Sequence, residues 1–425
     1  MALSWVALGL LGVCLWGLTL AQGGVYVADS AWGVLGMGLA GVAAFGRREL
    51  HPGGWWGVGL AAGFLSVGVW QWGAGVTQTP VRTAEAVMEL AGYTVVFAVG
   101  RELVWSFRRS LWWVAAPVIG IGAVQAGLGL VQWWLQRAAG QSPMAVGSYN
   151  SRNSFAGLLE LTLPLAVWAG VWVYVREKKR GESGVGASLG ASALFAMGAA
   201  MLVGTVISLS RMGFLAALSG MVATGVLAAG GRGGKRVWPA VVAVGVGVAA
   251  FVFLPTDEWI ARFAGLAVTE DVSSDTRVQL WKETLPAIAH YGWKGCGLGG
   301  YESCFYAFKK VAPDNTADYA HNDYLQVLLE MGWVGFGLGM VLVGRVVGRL
   351  WWVTQRSEGV AWYLGVGCMG ALVALGLHSL VDFNLYFPAN AMVAAWVMGM
   401  GEGLPAVVKW EIGRMQRLGE KVVEG

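Results

Sequence analysis

From Pro255 to Asn322 the chain reads PTDEWIARFAGLAVTEDVSSDTRVQLWKETLPAIAHYGWKGCGLGGYESCFYAFKKVAPDNTADYAHN, a stretch too polar for the interior of a bilayer. Charges, aromatic residues, glycines and two of the four histidines are crowded into it. Apolar runs of membrane-spanning length lie on both sides. The stretch therefore reads as one large loop, residues 255–322, within a single membrane domain covering residues 1–425.

Composition agrees. Of 425 residues, 56% are hydrophobic and 13% charged, and the mean hydropathy is +0.59, which excludes an ordinary soluble domain. The 66 glycines and 24 tryptophans suit closely packed helices with indoles at the water interface. Apolar windows fall near residues 3–21, 28–45, 55–73, 86–104, 111–135, 154–175, 188–208, 212–229, 237–254, 323–344, 360–380 and 388–405. The expected fold is all-α and polytopic, with about 12 transmembrane helices. The N-terminal run lacks the basic region of a signal peptide, so a retained first helix is expected.

Lysine and arginine orient the chain. Most of the 29 fall in alternate short loops: Arg47 and Arg48; Arg101, Arg108 and Arg109; Arg176 to Arg180; Arg232 to Arg236; Arg345 to Arg356; and Lys409 to Lys421. The positive-inside rule then predicts cytoplasmic termini and an outward-facing central loop. The net charge of +4 is topological on this reading and gives no reason to expect a nucleic-acid partner. Cys14 and Cys368 sit in apolar runs, while Cys296 and Cys304 share the loop, as a disulfide or as two free thiols.

The outward segments hold the candidate chemistry. In SYNSRNSFAGLLELTLPL, Arg152 and Asn153 precede a span that Ser154 is expected to cap, and Glu160 lies two turns deeper. In VISLSRMGFLAAL, Arg211 is a cation on the wrong side for the positive-inside rule. The segment DTRVQLWKETLPAIAHYGWKG predicts a surface helix with Arg277, Trp281 and Leu285 on one face. The GCGLGGY that follows reads as a turn rather than a nucleotide loop. In AHNDYLQVLLEMGWVG, His321 begins a polar stripe of Asn322, Gln326 and Glu330. LHSLVDFNLYFPANA places His378, Asp382, Asn384 and Asn390 in an apolar setting, where Asp382 either pairs with an arginine or orients a catalytic group.

These five ordered blocks, spanning residues 145–400, resemble the O-antigen ligase and O-antigen polymerase family of bacterial membrane glycosyltransferases. The resemblance implies a glycosyltransferase-C-like fold with a large periplasmic loop in the inner membrane. It implies a donor glycan linked to undecaprenyl diphosphate, and a saccharide, lipid or protein hydroxyl as acceptor. The family's activity-linked arginines and histidine fall on Arg211, Arg277 and His321, and its asparagine on Asn153. Arg152, Asn322, Glu330 and Asp382 are the expected substrate-binding neighbours.

The chemistry fits these residue types. Guanidinium forks bind diphosphate oxygens and offset the charge of a leaving diphosphate. Histidine, with an ordinary pKa of about 6.5, can take the acceptor's proton. Direct displacement inverts the anomeric centre. No cofactor is expected and no metal, since Asp314, Asp318 and Asp323 read as a solvated acidic loop. The alternative is a small-anion transporter of the same family, which would place its polar groups near the bilayer midplane.

Overall fold

The computed structural model describes residues 1–180, 185–230, 274–310 and 317–423. These form an all-helical membrane protein. In chain order the helices are α1 (Ala2–Leu20), α2 (Val27–Phe45), α3 (Trp56–Gly73), α4 (Pro80–Ser106), α5 (Trp112–Ala138), α6 (Arg152–Arg180), α7 (Val185–Ile207) and α8 (Arg211–Gly230). There follow α9 (Ser274–Tyr291), the short α10 (Tyr301–Tyr306), α11 (Asp323–Arg356), α12 (Val360–His378) and α13 (Pro388–Val423), with a 3-10 turn over Asn384–Tyr386. Nine of the described helices are long and apolar enough to cross a membrane.

Every apolar window outside 231–273 coincides with a helix, while the window at 237–254 lies outside the described residues. α3 and α4 are outside the set of nine. α4 carries Arg101 and Glu102, both fully buried. Arg101 Nη1 lies 2.5 Å and Arg47 Nη2 2.9 Å from the Glu102 carboxylate. At the same end Arg345 Nη2 and Arg349 Nε approach Glu402 at 2.9 and 3.2 Å. Buried charge is tolerated here because each carboxylate has two guanidinium partners; removing one partner of such a pair costs about 3–5 kcal/mol.

Trp168, Trp362 and Trp396 fill the interior, with the first two edge to face at 5.4 Å. α4 and α13 touch backbone to backbone where a Cβ on Gly399 would strike the Phe97 carbonyl. Small residues permit that approach in lipid, where apolar burial alone gives helices no reason to associate.

The run expected as one span from 323 to 344 is broken. Gly332 has φ 66° and ψ −176°, so α11 is two helical pieces joined at a kink. The free carbonyls are captured from outside: Leu329 O accepts from Cys296 N–H and Glu330 O from Gly297 N–H, each at 3.0 Å. Gln71 Nε2 donates to Glu330 O at 2.7 Å and to Lys294 O at 2.6 Å. A side chain at Gly332 would collide with the Trp293 carbonyl, so only glycine serves. The GCGLGGY segment is thus a turn plugged into the kink, and its Cys296 is joined by a disulfide to Cys304 of α10, Cα atoms 6.3 Å apart.

Candidate functional site

The polar segment of α11 meets the turn between α12 and α13. Asn322 caps α11, its Oδ1 accepting from Leu325 N–H at 3.0 Å while its amide donates to Leu380 O at 2.8 Å. Asp323 N–H reaches Ser379 O at 2.9 Å, and Ser379 Oγ donates to Asp323 Oδ2 at 2.7 Å. These bonds fix the two segments to each other and leave His321 between them. Its φ of 48° is unusual for a residue with a Cβ.

His321 Nδ1 stands 3.6 Å from Asp382 Oδ1, an ion-pair distance longer than a hydrogen bond. Phe383 packs edge-on against the imidazole at 4.8 Å. The Asp382 carboxylate also accepts from Phe383 N–H at 2.9 Å, and its other oxygen lies 3.9 Å from His378 Nε2. His378 Nδ1 is in turn 2.9 Å from Glu160 Oε2, both side chains fully buried. A polar chain therefore runs Glu160, His378, Asp382, His321, from the interior of the bundle to its mouth.

Arg277 and Arg211 complete the cluster. Burial pushes the Arg277 guanidinium below its ordinary pKa; the Asp382 charge opposes that shift and the Arg211 charge adds to it, so all three lie within electrostatic range. Burial pushes the Asp382 carboxyl up, but His321, His378 and Arg277 outweigh it and hold the group below its ordinary value. Arg277 Nε is buried without a hydrogen-bond partner among the described residues. Arg211 opens α8 and is exposed, behind the Ser210 hydroxyl, which accepts from Gly213 N–H at 3.2 Å. An imidazole 3.6 Å from a carboxylate, with two guanidinium groups in electrostatic range, is an arrangement that can take a proton from a hydroxyl beside a bound anion.

The remaining expected residues fall around this centre. Arg152 and Asn153 open α6, whose first turn is tied to the same region by Asn390 Nδ2 donating to Ser154 O at 2.9 Å. The cap differs from expectation: Ser151 Oγ accepts from Ser154 N–H at 3.3 Å, one turn earlier than the periodicity suggests. Glu330 is fully buried and accepts from Gly299 N–H at 3.0 Å, Tyr301 N–H at 3.2 Å and Tyr386 O–H at 2.8 Å. Its oxygens hold the loop. α9 also turns differently, since Leu285 is 54% exposed and the buried face is Leu280, Thr284 and Ile288.

Sequence reasoning missed an aromatic floor. Tyr319 stacks on Phe383 at 4.2 Å and 5°, and Tyr386 meets Tyr319 at 5.8 Å. It also missed the Glu160 to His378 link, although the i, i+4 spacing of His378 and Asp382 signals that those two share a face.

Residues 196–340 match the family model described as O-antigen ligase. This agrees with the all-helical membrane fold and supports the O-antigen ligase and polymerase family. The ligase match includes Arg211, Arg277, His321, Asn322 and Glu330, while Arg152, Asn153 and Asp382 lie outside it. A search of curated proteins returns no match. At family level the ligase domain supports glycosyl transfer involving lipid-linked glycans at a membrane.

Proposed function

We propose that this protein transfers a glycan from an undecaprenyl-diphosphate carrier to an acceptor hydroxyl at the periplasmic face of the inner membrane, without a metal and with inversion. The observation that carries the reading is the convergence of His321 and Asp382 with Arg277 and Arg211, from four separate segments, at one end of the bundle.

On this reading His321 is the general base. The acceptor oxygen attacks the anomeric carbon as the imidazole takes its proton; the bond from that carbon to the diphosphate oxygen breaks, and the electron pair leaves with the diphosphate. Arg277 and Arg211 bind the diphosphate and offset the charge it gains. Asp382 orients the imidazole and stabilises the imidazolium that forms, as the carboxylate does in a hydrolase triad. The Tyr319 and Phe383 rings offer a flat apolar face on which a sugar ring can stack, and Asn153 and Arg152, at the start of α6, are further substrate contacts on this reading. Asn322 and Glu330 act by holding the loop in place. The disulfide between Cys296 and Cys304 favours an oxidising compartment for this end.

The test is a transfer assay with purified protein, undecaprenyl-diphosphate-linked glycan and candidate hydroxyl acceptors, in the presence of a chelator. Transfer with an inverted linkage, lost in His321→Ala and Arg277→Ala, is expected. Turnover of both variants at the wild-type rate, or a retained linkage, overturns the assignment.

A further inference from the structure

α4 places a second feature at the far end of the molecule. Gln78, just ahead of α4, donates its N–H to Cys296 O at 3.3 Å in the outer loop. The 27-residue helix then runs about 40 Å to a cavity of about 770 Å³ between the start of α1, the α2–α3 connection and the α4–α5 turn. Nothing in the transfer reaction uses this cavity.

Its walls are cationic. Arg47, Arg48, Arg108 and Arg109 all line it, with Glu49 as the one carboxylate. Arg47 is committed to Glu102. Arg108 lies over the Trp105 ring at 4.4 Å and reaches Glu49 at 3.8 Å, but Glu49 is 78% exposed and so a weak partner. Arg108 Nε is buried with no hydrogen-bond partner among the described residues. Arg48 and Arg109 are exposed and form no ion pair among the described residues. Deeper in, Glu102 and Glu402 are already saturated by Arg47, Arg101, Arg345 and Arg349. Among the described residues, no carboxylate therefore pairs with the Arg48 and Arg109 charges at this end.

The rim is aromatic. Trp5 and Trp113 line the same cavity, are exposed, and meet edge to face at 5.4 Å. Indoles take such a position at the level of lipid headgroups. The positive-inside rule accounts for arginines at this end, but not for their convergence with tryptophans on one cavity of ligand size.

We propose that this cavity is a binding site for the phosphodiester headgroup of an anionic phospholipid from the adjoining leaflet. Arg48 and Arg109 supply the open guanidinium forks for the phosphate oxygens, Arg108 supplies a third cation held in place by Trp105, and the Trp5 and Trp113 rings cover the first carbons of the acyl chains.

Native mass spectrometry of the full chain, delipidated in mild detergent and titrated with phosphatidylglycerol or with phosphatidylcholine of the same acyl chains, tests this. Phosphatidylglycerol should bind about tenfold more tightly, and Arg48→Gln with Arg109→Gln should weaken it roughly thirtyfold, at the strength expected of two cations near a lipid headgroup. Both arginines are exposed and unpaired, so the double variant should keep the wild-type melting temperature; single Arg109→Gln gives the same reading, several-fold weaker binding, if it does not. Arg137→Gln, at the other end of the bundle, should bind as wild type. Equal binding of the two lipids, or unchanged binding by the double variant, overturns the proposal. Displacement of phosphatidylglycerol by millimolar inorganic phosphate also overturns it, by assigning the site to a free anion.

Discussion

Asp382→Asn isolates the charge that faces His321. The substitution keeps the shape and retains an oxygen to accept from Phe383 N–H, so the turn should hold. What is lost is one negative charge 3.6 Å from the imidazole. At an effective dielectric of about 20 that charge is worth about 4–5 kcal/mol to an imidazolium. Arg277 faces the same carboxylate, and the His321 side chain is 19% exposed; together these leave about half, 2–3 kcal/mol. Catalysis benefits only as the proton arrives, so kcat should fall on the order of 100-fold. KM for the lipid-linked donor should stay close to wild type, because Asp382 acts through His321. Single-turnover transfer with purified protein, at saturating donor, measures the ratio. A loss under about threefold, or one carried by KM, would refute the orienting role.

Three further substitutions probe separate parts of the argument. Arg277→Lys keeps the charge but removes the fork, and should raise KM for the donor about tenfold or more, measured in the same assay, whereas an unchanged KM removes Arg277 from the diphosphate site. Gly332→Ala forces a Cβ into the Trp293 carbonyl at φ 66°; it should destabilise the protein by about 1–3 kcal/mol in a thermal melt, and a wild-type melting temperature would show that the loop is not plugged into the kink. His51 is held neutral by burial and by the nearby Arg101 charge, its pKa pushed down to about 4, with Nδ1 accepting from Gly53 N–H and Nε2 donating to Gly403 O. The unfolded chain takes up that proton near pH 6.5, so stability should fall by up to about 3 kcal/mol as pH drops from 6.5 to 4 and flatten below. His51→Gln should lose that slope, and parallel melting curves for the two proteins would contradict it.

The helices were legible because hydrocarbon thickness sets their length, and each window outside 231–273 has its helix. The cations and base of the proposed site were picked out for a related reason: Arg211 and His321 stand out where the surrounding sequence is apolar or the positive-inside rule disfavours charge. What the pattern hid is tertiary. The link from Glu160 to His378 joins residues 218 apart, and no local periodicity encodes it. Leu285 continues the i, i+4 series of Arg277 and Trp281, yet Thr284 is the buried residue, its hydroxyl 2.9 Å from Tyr301 O–H at the start of α10. Glu330 reads as part of a stripe aimed at substrate. Its oxygens are instead taken up by the amides of Gly299 and Tyr301.

The kink at Gly332 explains why a loop residue and membrane helices can share one rigid site. An unbroken α11 would satisfy its own carbonyls and leave the Cys296 and Gly297 amides of the 295–301 turn without those acceptors. Broken there, it offers Leu329 O and Glu330 O to that turn. The turn packs against α9 through Thr284 and Tyr301. α9 is fastened a second time, by Trp281 Nε1 donating to Ala320 O at 3.0 Å, one residue before His321 and one helical turn from Arg277. The arginine and the histidine are thereby spaced by a single half-buried indole bond rather than by a free loop. Preorganisation of that kind is what charge stabilisation in a transition state requires, since a cation that must first be brought into place returns much of its benefit as reorganisation cost.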